Sequence, residues 1–158
     1  MKKTNAMRFL DQAGVLYELI EYDENTPVDG QEIARLNGLP EDQVFKTLVL
    51  YSEDGDHFLF LLPVNKDLDL KRAARLAGKK KLKLLPSRDL EDLTGYIRGG
   101  CSPLGMKRDF PAWMDLSGRE FEKIYISAGK KGLQIGLALE DLEKVRKIKF
   151  DRIIKEDI

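Results

Sequence analysis

Chemistry that needs paired sulfurs or clustered imidazoles is excluded at once, because the chain has one cysteine and one histidine. Cys101 has no partner for an intramolecular disulfide, and His57 alone cannot build a multi-histidine metal site. No run approaches the roughly 18 apolar residues that span a bilayer. The opening MKKTNAMRFLDQAG has no long apolar stretch behind its lysines, so a secretory signal is not expected. Neither charge is in excess: Lys+Arg and Asp+Glu number 27 each, so any polyanion-binding surface has to be local. Repeats, linkers, paired carboxylates and metal-ligand clusters are also missing. These absences lead us to expect one cytoplasmic domain over 1–158 that uses no metal or cofactor.

What is present is ordinary globular material: 158 residues, 42% hydrophobic and 34% charged. Thr4 and Asn5 can cap a helix that Gly14 ends, with Ala6, Phe9, Leu10 and Ala13 on one face. Val15 to Tyr22 is rich in β-formers. Asp29 with Glu32 resembles a capping box for a helix through Leu36. Val44 to Tyr51 and Phe58 to Pro63 flank an Asp-Gly turn and predict a hairpin. Asp69 caps a helix to Ala77, Lys81 to Leu85 reads as a short strand, and Ser87 caps a helix up to Gly95. Three more strands are predicted at Ala112 to Leu116, Lys123 to Ser127 and Leu133 to Leu137, followed by a helix from Glu140 to Lys147. The class is α+β, a mixed, barrel-like curved β-sheet of about seven or eight strands with peripheral helices.

Four stretches carry possible chemistry. The loop Gly99-Gly100-Cys101-Ser102-Pro103-Leu104-Gly105 can turn several N–H groups inward as a nest for a carbonyl oxygen or phosphate, or be a tight surface turn. Arg98, Lys107 and Arg108 flank it and favour a binding role. Lys46 shares a strand face with Val44, Leu48 and Leu50, while Thr47 faces the other way. Lys46 is either a strand-end lysine snorkelling to water or a cation at the mouth of an apolar pocket. The turn Ser127-Ala128-Gly129-Lys130-Lys131-Gly132 reads as a basic hairpin tip or as a phosphate contact, though it is no P-loop. Lys71, Arg72, Arg75, Lys79, Lys80, Lys81 and Lys83 follow one another without an acidic residue, as a solvated face or a phosphate-backbone footprint. Cys101 reads as a small space-filling residue rather than a nucleophile, because no base accompanies it in sequence.

The chain resembles the YbaK/EbsC family of aminoacyl-tRNA deacylases, related to the editing domain of bacterial prolyl-tRNA synthetase. The resemblance runs nearly end to end. It rests on the Tyr22 region, Asp42-Gln43-Val44-Phe45-Lys46-Thr47-Leu48, Leu68-Asp69-Leu70-Lys71, Thr94-Gly95-Tyr96, the glycine loop, Tyr125-Ile126-Ser127 and Gly129-Lys130-Lys131-Gly132-Leu133. It implies a trans-editing hydrolase that clears mischarged tRNA-Pro, above all Cys-tRNA(Pro). The substrate's own thiol then attacks its ester, which explains the lack of an enzymic nucleophile. The implied catalytic positions are Lys46, matching the family's essential lysine, and the loop backbone at Gly100 and Cys101. Tyr22, Thr47, Gly99, Ser102, Pro103, Ser127 and Gln134 are the implied substrate-binding positions. Lys71, Arg72, Lys79, Lys80, Lys81, Lys130 and Lys131 are the candidate tRNA contacts, with tRNA and prolyl-tRNA synthetase as expected partners. One position departs: several members carry an aspartate where this chain has Gln134, so a carboxylate role does not transfer, although Gln134 can still hydrogen-bond the α-amino group. A water-using deacylase for alanine and a non-catalytic tRNA-binding module remain as alternatives.

Overall fold

The computed structural model describes residues 2–156. In chain order its helices and strands are α1 (Asn5–Gln12), β1 (Glu18–Glu21), α2 (Gly30–Leu36), β2 (Phe45–Tyr51), β3 (His57–Pro63), α3 (Leu70–Leu76), β4 (Lys83–Leu84), α4 (Ser87–Thr94), β5 (Ala112–Asp115), β6 (Lys123–Ser127), β7 (Leu133–Ala138), α5 (Leu139–Val145) and β8 (Lys149–Asp151). Short 3-10 turns occupy Glu41–Gln43 and Leu116–Glu120.

The strands form two sheets, β1-β7-β6 and β4-β2-β3-β5-β8. The Asp-Gly hairpin forms as predicted, antiparallel from Phe45 opposite Pro63 to Tyr51 opposite His57. β5 runs parallel to β3, and β8 parallel to β5, so the larger sheet is mixed. The sheets touch through a parallel bridge between Val44 and Tyr125. They do not close into a barrel, which refines the expected barrel-like sheet to two sheets meeting at one edge.

Alternation decides what each strand face buries. Phe45 and Val49 of β2 join Leu59, Leu61, Met114, Ile126, Ile135 and Leu137 in the core between the sheets, where α1 adds Ala6, Met7 and Leu10. Leu50, Phe58, Phe60 and Leu62 point the other way, onto Ala73 and Ala74 of α3. There Trp113 stacks on Phe60 with ring centroids 5.3 Å apart. Burial on both faces explains why β3, His-Phe-Leu-Phe-Leu-Leu-Pro, is almost continuously apolar.

Three local expectations change. β1 is shorter than Val15 to Tyr22, because β7 pairs only with Glu18 to Glu21. Ser87 is the first residue of α4 rather than its cap: Pro86 holds the N-cap position and no side chain closes that end. β8 has no counterpart among the predicted strands, and it forms because Lys149–Asp151 adds to the edge beside β5. No helix among the described residues is long and apolar enough to cross a membrane.

Candidate active site

β4 pairs only with Leu50 and Tyr51 of β2, so the first half of β2 keeps an open edge. A cavity of about 730 Å³ lies along that edge, between the glycine loop, the start of α2 and the segment after β3. This is how Lys46 and Thr47 reach the same cavity from opposite strand faces. Tyr22, Gly99, Cys101, Ser127 and Gln134 also line it.

Lys46 is half-buried, and burial pulls its pKa below the ordinary lysine value, with the Asp67 and Asp29 carboxylates acting in the opposite sense. The Thr47 hydroxyl is buried without a hydrogen-bond partner among the described residues. Gln134 is buried, and its Oε1 accepts from Asn37 Nδ2 at 3.3 Å. The side-chain group left over on Gln134 is its Nε2, a donor. Ser127 Oγ accepts from the Gly129 N–H at 3.2 Å and so shapes the β6–β7 hairpin tip.

The glycine loop is fixed from several sides. Gly99 has φ of +87°, where a side chain would be strained. A Cβ on Gly100 would lie 3.0–3.1 Å from backbone atoms of Lys130, so the loop and the basic hairpin tip touch through glycine. Tyr96 donates its hydroxyl to the Leu104 carbonyl at 2.5 Å, and the Leu104 N–H donates to Ser102 Oγ at 3.2 Å. Arg146, buried at the end of α5, donates through Nε to the Pro103 carbonyl at 3.2 Å and through Nη2 to the Phe110 carbonyl at 2.5 Å.

Gly100, Ser102 and Pro103 do not line the cavity. The Gly100 N–H is taken by the Ile97 carbonyl at 2.9 Å. Gly99 and Cys101 do line the cavity, and their N–H groups have no acceptor among the described residues. The Cys101 thiol is pushed up to about 12 by burial, so it stays protonated near neutrality. His57 lies against Phe110, ring centroids 5.5 Å apart, and lines a different hollow, away from Cys101.

Lys79 is not an uncompensated cation: it bridges Asp54 at 2.8 Å and Asp56 at 2.5 Å across the β2–β3 turn. Lys71, Lys80, Lys81 and Lys130 are exposed, while Arg72 and Lys131 are half-buried. The basic run ends at Lys83, directly before Leu84, which lines the cavity. Several side chains at the site are silent in the sequence or suggest another role there. Asp29 reads as a helix cap only, which it also is. Asn65, Lys66 and Asp67 line the cavity, and their signal is a polar run directly after an apolar strand. Arg146 carries no local signal. Among the described residues no group of His, Cys, Asp and Glu could hold a metal ion.

The family model of the aminoacyl-tRNA editing domain matches residues 28–145. EbsC of Enterococcus faecalis, described as a candidate Cys-tRNA(Pro)/Cys-tRNA(Cys) deacylase, is 38% identical over 157 residues, covering 99% of this chain and 96% of that protein. A proline–tRNA ligase of Shouchella clausii is 31% identical over 101 residues, 64% of this chain but 18% of the ligase. A solved structure described as a candidate trans-editing enzyme for prolyl-tRNA synthetase superposes with a TM-score of 0.83 at 23% identity, covering 99% of this chain and 100% of that one.

Proposed function

The chain belongs to the family of aminoacyl-tRNA editing domains, and on that premise we propose that it is a trans-acting deacylase of mischarged tRNA-Pro, with Cys-tRNA(Pro) as its main substrate. The observation that supports this reading is one cavity lined by half-buried Lys46 and by Gly99 and Cys101, whose N–H groups have no partner among the described residues. An aminoacyl ester is already activated, so hydrolysis needs orientation and a place for the developing oxyanion more than it needs an enzymic nucleophile.

In the proposed reaction the ester carbonyl oxygen sits among Lys46 and the two loop N–H groups. The cysteine thiol of the substrate, once deprotonated, attacks its own carbonyl carbon. The bond from that carbon to the ribose oxygen breaks, the ribose oxygen takes up a proton, and tRNA leaves. The amino acid departs as a cyclic thioester that water opens. The Cys101 thiol has no part in this, which agrees with its protonated state. Basic groups at the hairpin tip and along Lys80 to Lys83 meet tRNA phosphates, and the reaction belongs in the cytoplasm, alone or beside prolyl-tRNA synthetase.

A second reading has one observation in its favour. The buried Thr47 hydroxyl without a partner is a natural anchor for a water. A water there would hydrolyse an alanyl ester with no substrate thiol.

The test is deacylation of the same tRNA-Pro charged with cysteine, serine or alanine. Serine is nearly isosteric with cysteine, and a pocket separates isosteres poorly on size. Strong preference for cysteine is the expected result, because a thiol ionises far more readily than a hydroxyl near neutral pH. Comparable rates for all three would replace thiol attack with water attack, and no deacylation of any would overturn the function.

A further inference from the structure

Every aminoacyl ester brings an α-amino group that titrates near neutrality and so reaches the site in part as an ammonium. The proposed site must therefore take a cation into a cavity that already holds the ammonium of Lys46, with Lys66 and Arg98 also on its lining. A negative partner offsets the repulsion between these cations, and the two candidates for it are exposed at the cavity's rim. Gln134 supplies no charge: its Oε1 already accepts from Asn37 and offers an ammonium only a neutral second lone pair. The two carboxylates on the cavity lining are Asp29 and Asp67.

Asp67 forms no side-chain hydrogen bond or ion pair among the described residues, although its backbone carbonyl accepts from the Lys155 N–H at 2.8 Å. Asp29 uses Oδ1 to cap α2, accepting from the N–H of Gln31 at 3.0 Å and of Glu32 at 3.4 Å, and keeps Oδ2 unengaged. We propose that Asp67, assisted by Asp29, holds the α-ammonium of the aminoacyl group and restricts the site to substrates with a free amino terminus. The substrate class is thereby narrowed, within the deacylase reading on which this rests, to aminoacyl-tRNA as opposed to N-formylated or peptidyl-tRNA. Both carboxylates act on the charge of Lys46 and line the same cavity.

The experiment measures binding and is independent of hydrolysis. The probes are adenosine bearing cysteine through a non-hydrolysable 3′-amide, with the α-amino group free or acetylated, titrated calorimetrically into the full chain. A charge-assisted hydrogen bond is worth about 1.5–3 kcal/mol, so the free amine should bind ~10- to 100-fold tighter. Asp67→Asn should remove most of that ratio. Asp29→Asn should remove less while keeping its helix cap, since asparagine caps as well as aspartate. Thermal melting confirms that the variants are folded. A ratio that survives in the Asp67→Asn, Asp29→Asn double variant, or that is lost on Gln134→Leu alone, overturns the proposal and leaves the deacylase reading standing. Equal wild-type affinity for both probes does the same, and no binding of either probe overturns both. Loss of activity with the amine preference intact sinks only the deacylase reading.

Discussion

Arg146 and Pro103 lie far apart in sequence, yet the guanidinium Nε of one donates to the carbonyl of the other at 3.2 Å. The same guanidinium donates to the Phe110 carbonyl, and the Asp109 carboxylate lies 3.9 Å from its Nε. Arg146 thereby ties the glycine loop to the C-terminal end of α5. Its burial lowers its pKa, with Asp109 acting in the opposite sense.

Removing that tie should cost both stability and rate. Arg146→Met leaves buried carbonyls of Pro103 and Phe110 unpaired, at about 1–3 kcal/mol each. Urea unfolding should show the loss, and kcat should fall more than KM rises, because the loop amides and not the tRNA surface are displaced. Arg146→Lys, which can still donate to one carbonyl, should recover part of both. Unchanged kcat in a folded Arg146→Met protein would separate Arg146 from the loop's function.

Lys46→Ala should fold and yet lose about 10²–10³ in deacylation rate, the usual loss for one oxyanion donor. The lowered pKa of Lys46 adds a pH signature. Below its unfolded value of 10.5 the unfolded chain holds the proton more tightly than the folded one. Stability from this group therefore rises as pH climbs through the folded pKa towards 10.5, while activity that needs the ammonium falls over the same window. A carbon-13 titration of labelled lysine should show one Cε resonance, absent in Lys46→Ala, titrating below the rest.

Thr47→Val tests the orphan hydroxyl. Valine keeps the shape and β-preference and removes an unpaired buried oxygen, so the melting temperature should hold or rise. Deacylation should drop if the hydroxyl meets substrate or water. Full activity would make Thr47 a packing residue.

Cys101→Ala should retain most of the deacylation activity, since a thiol pushed up to about 12 supplies no nucleophile at neutral pH. Iodoacetamide should label the folded protein slowly at mildly alkaline pH. With a folded pKa above the free value of 9.0, the thiol opposes folding once pH exceeds about 9, and Cys101→Ala should soften that alkaline loss of stability.

The basic run should divide by partner. Reversing Lys80 and Lys81 should flatten the salt dependence of tRNA affinity, by a slope of roughly 0.7–0.9 for each phosphate that is no longer neutralised. Lys79→Glu should do little to that slope, because Lys79 is held by Asp54 and Asp56, and it should loosen the β2–β3 turn. A large slope change from Lys79 alone would mean that it leaves those carboxylates for phosphate.

Most of the elements are legible along the chain, because the hairpin at Asp-Gly, the caps at Thr4, Asp29 and Asp69, and the strands around the glycine loop rest on neighbours a few residues apart. The sequence also singles out Lys46 and the loop, because a lysine in an apolar strand and clustered glycines are local anomalies. Which groups meet follows from the packing of the folded chain. That β4 leaves half of β2 uncovered, that Ile97 takes the Gly100 N–H, and that Asn37 takes the Gln134 oxygen depend on packing between distant segments. The same holds for Lys79 against Asp54 and Asp56, and for Arg146 under Pro103. Charge and hydrogen bonding act over a few ångströms of space, so the identity of a partner follows from the fold and not from spacing along the chain.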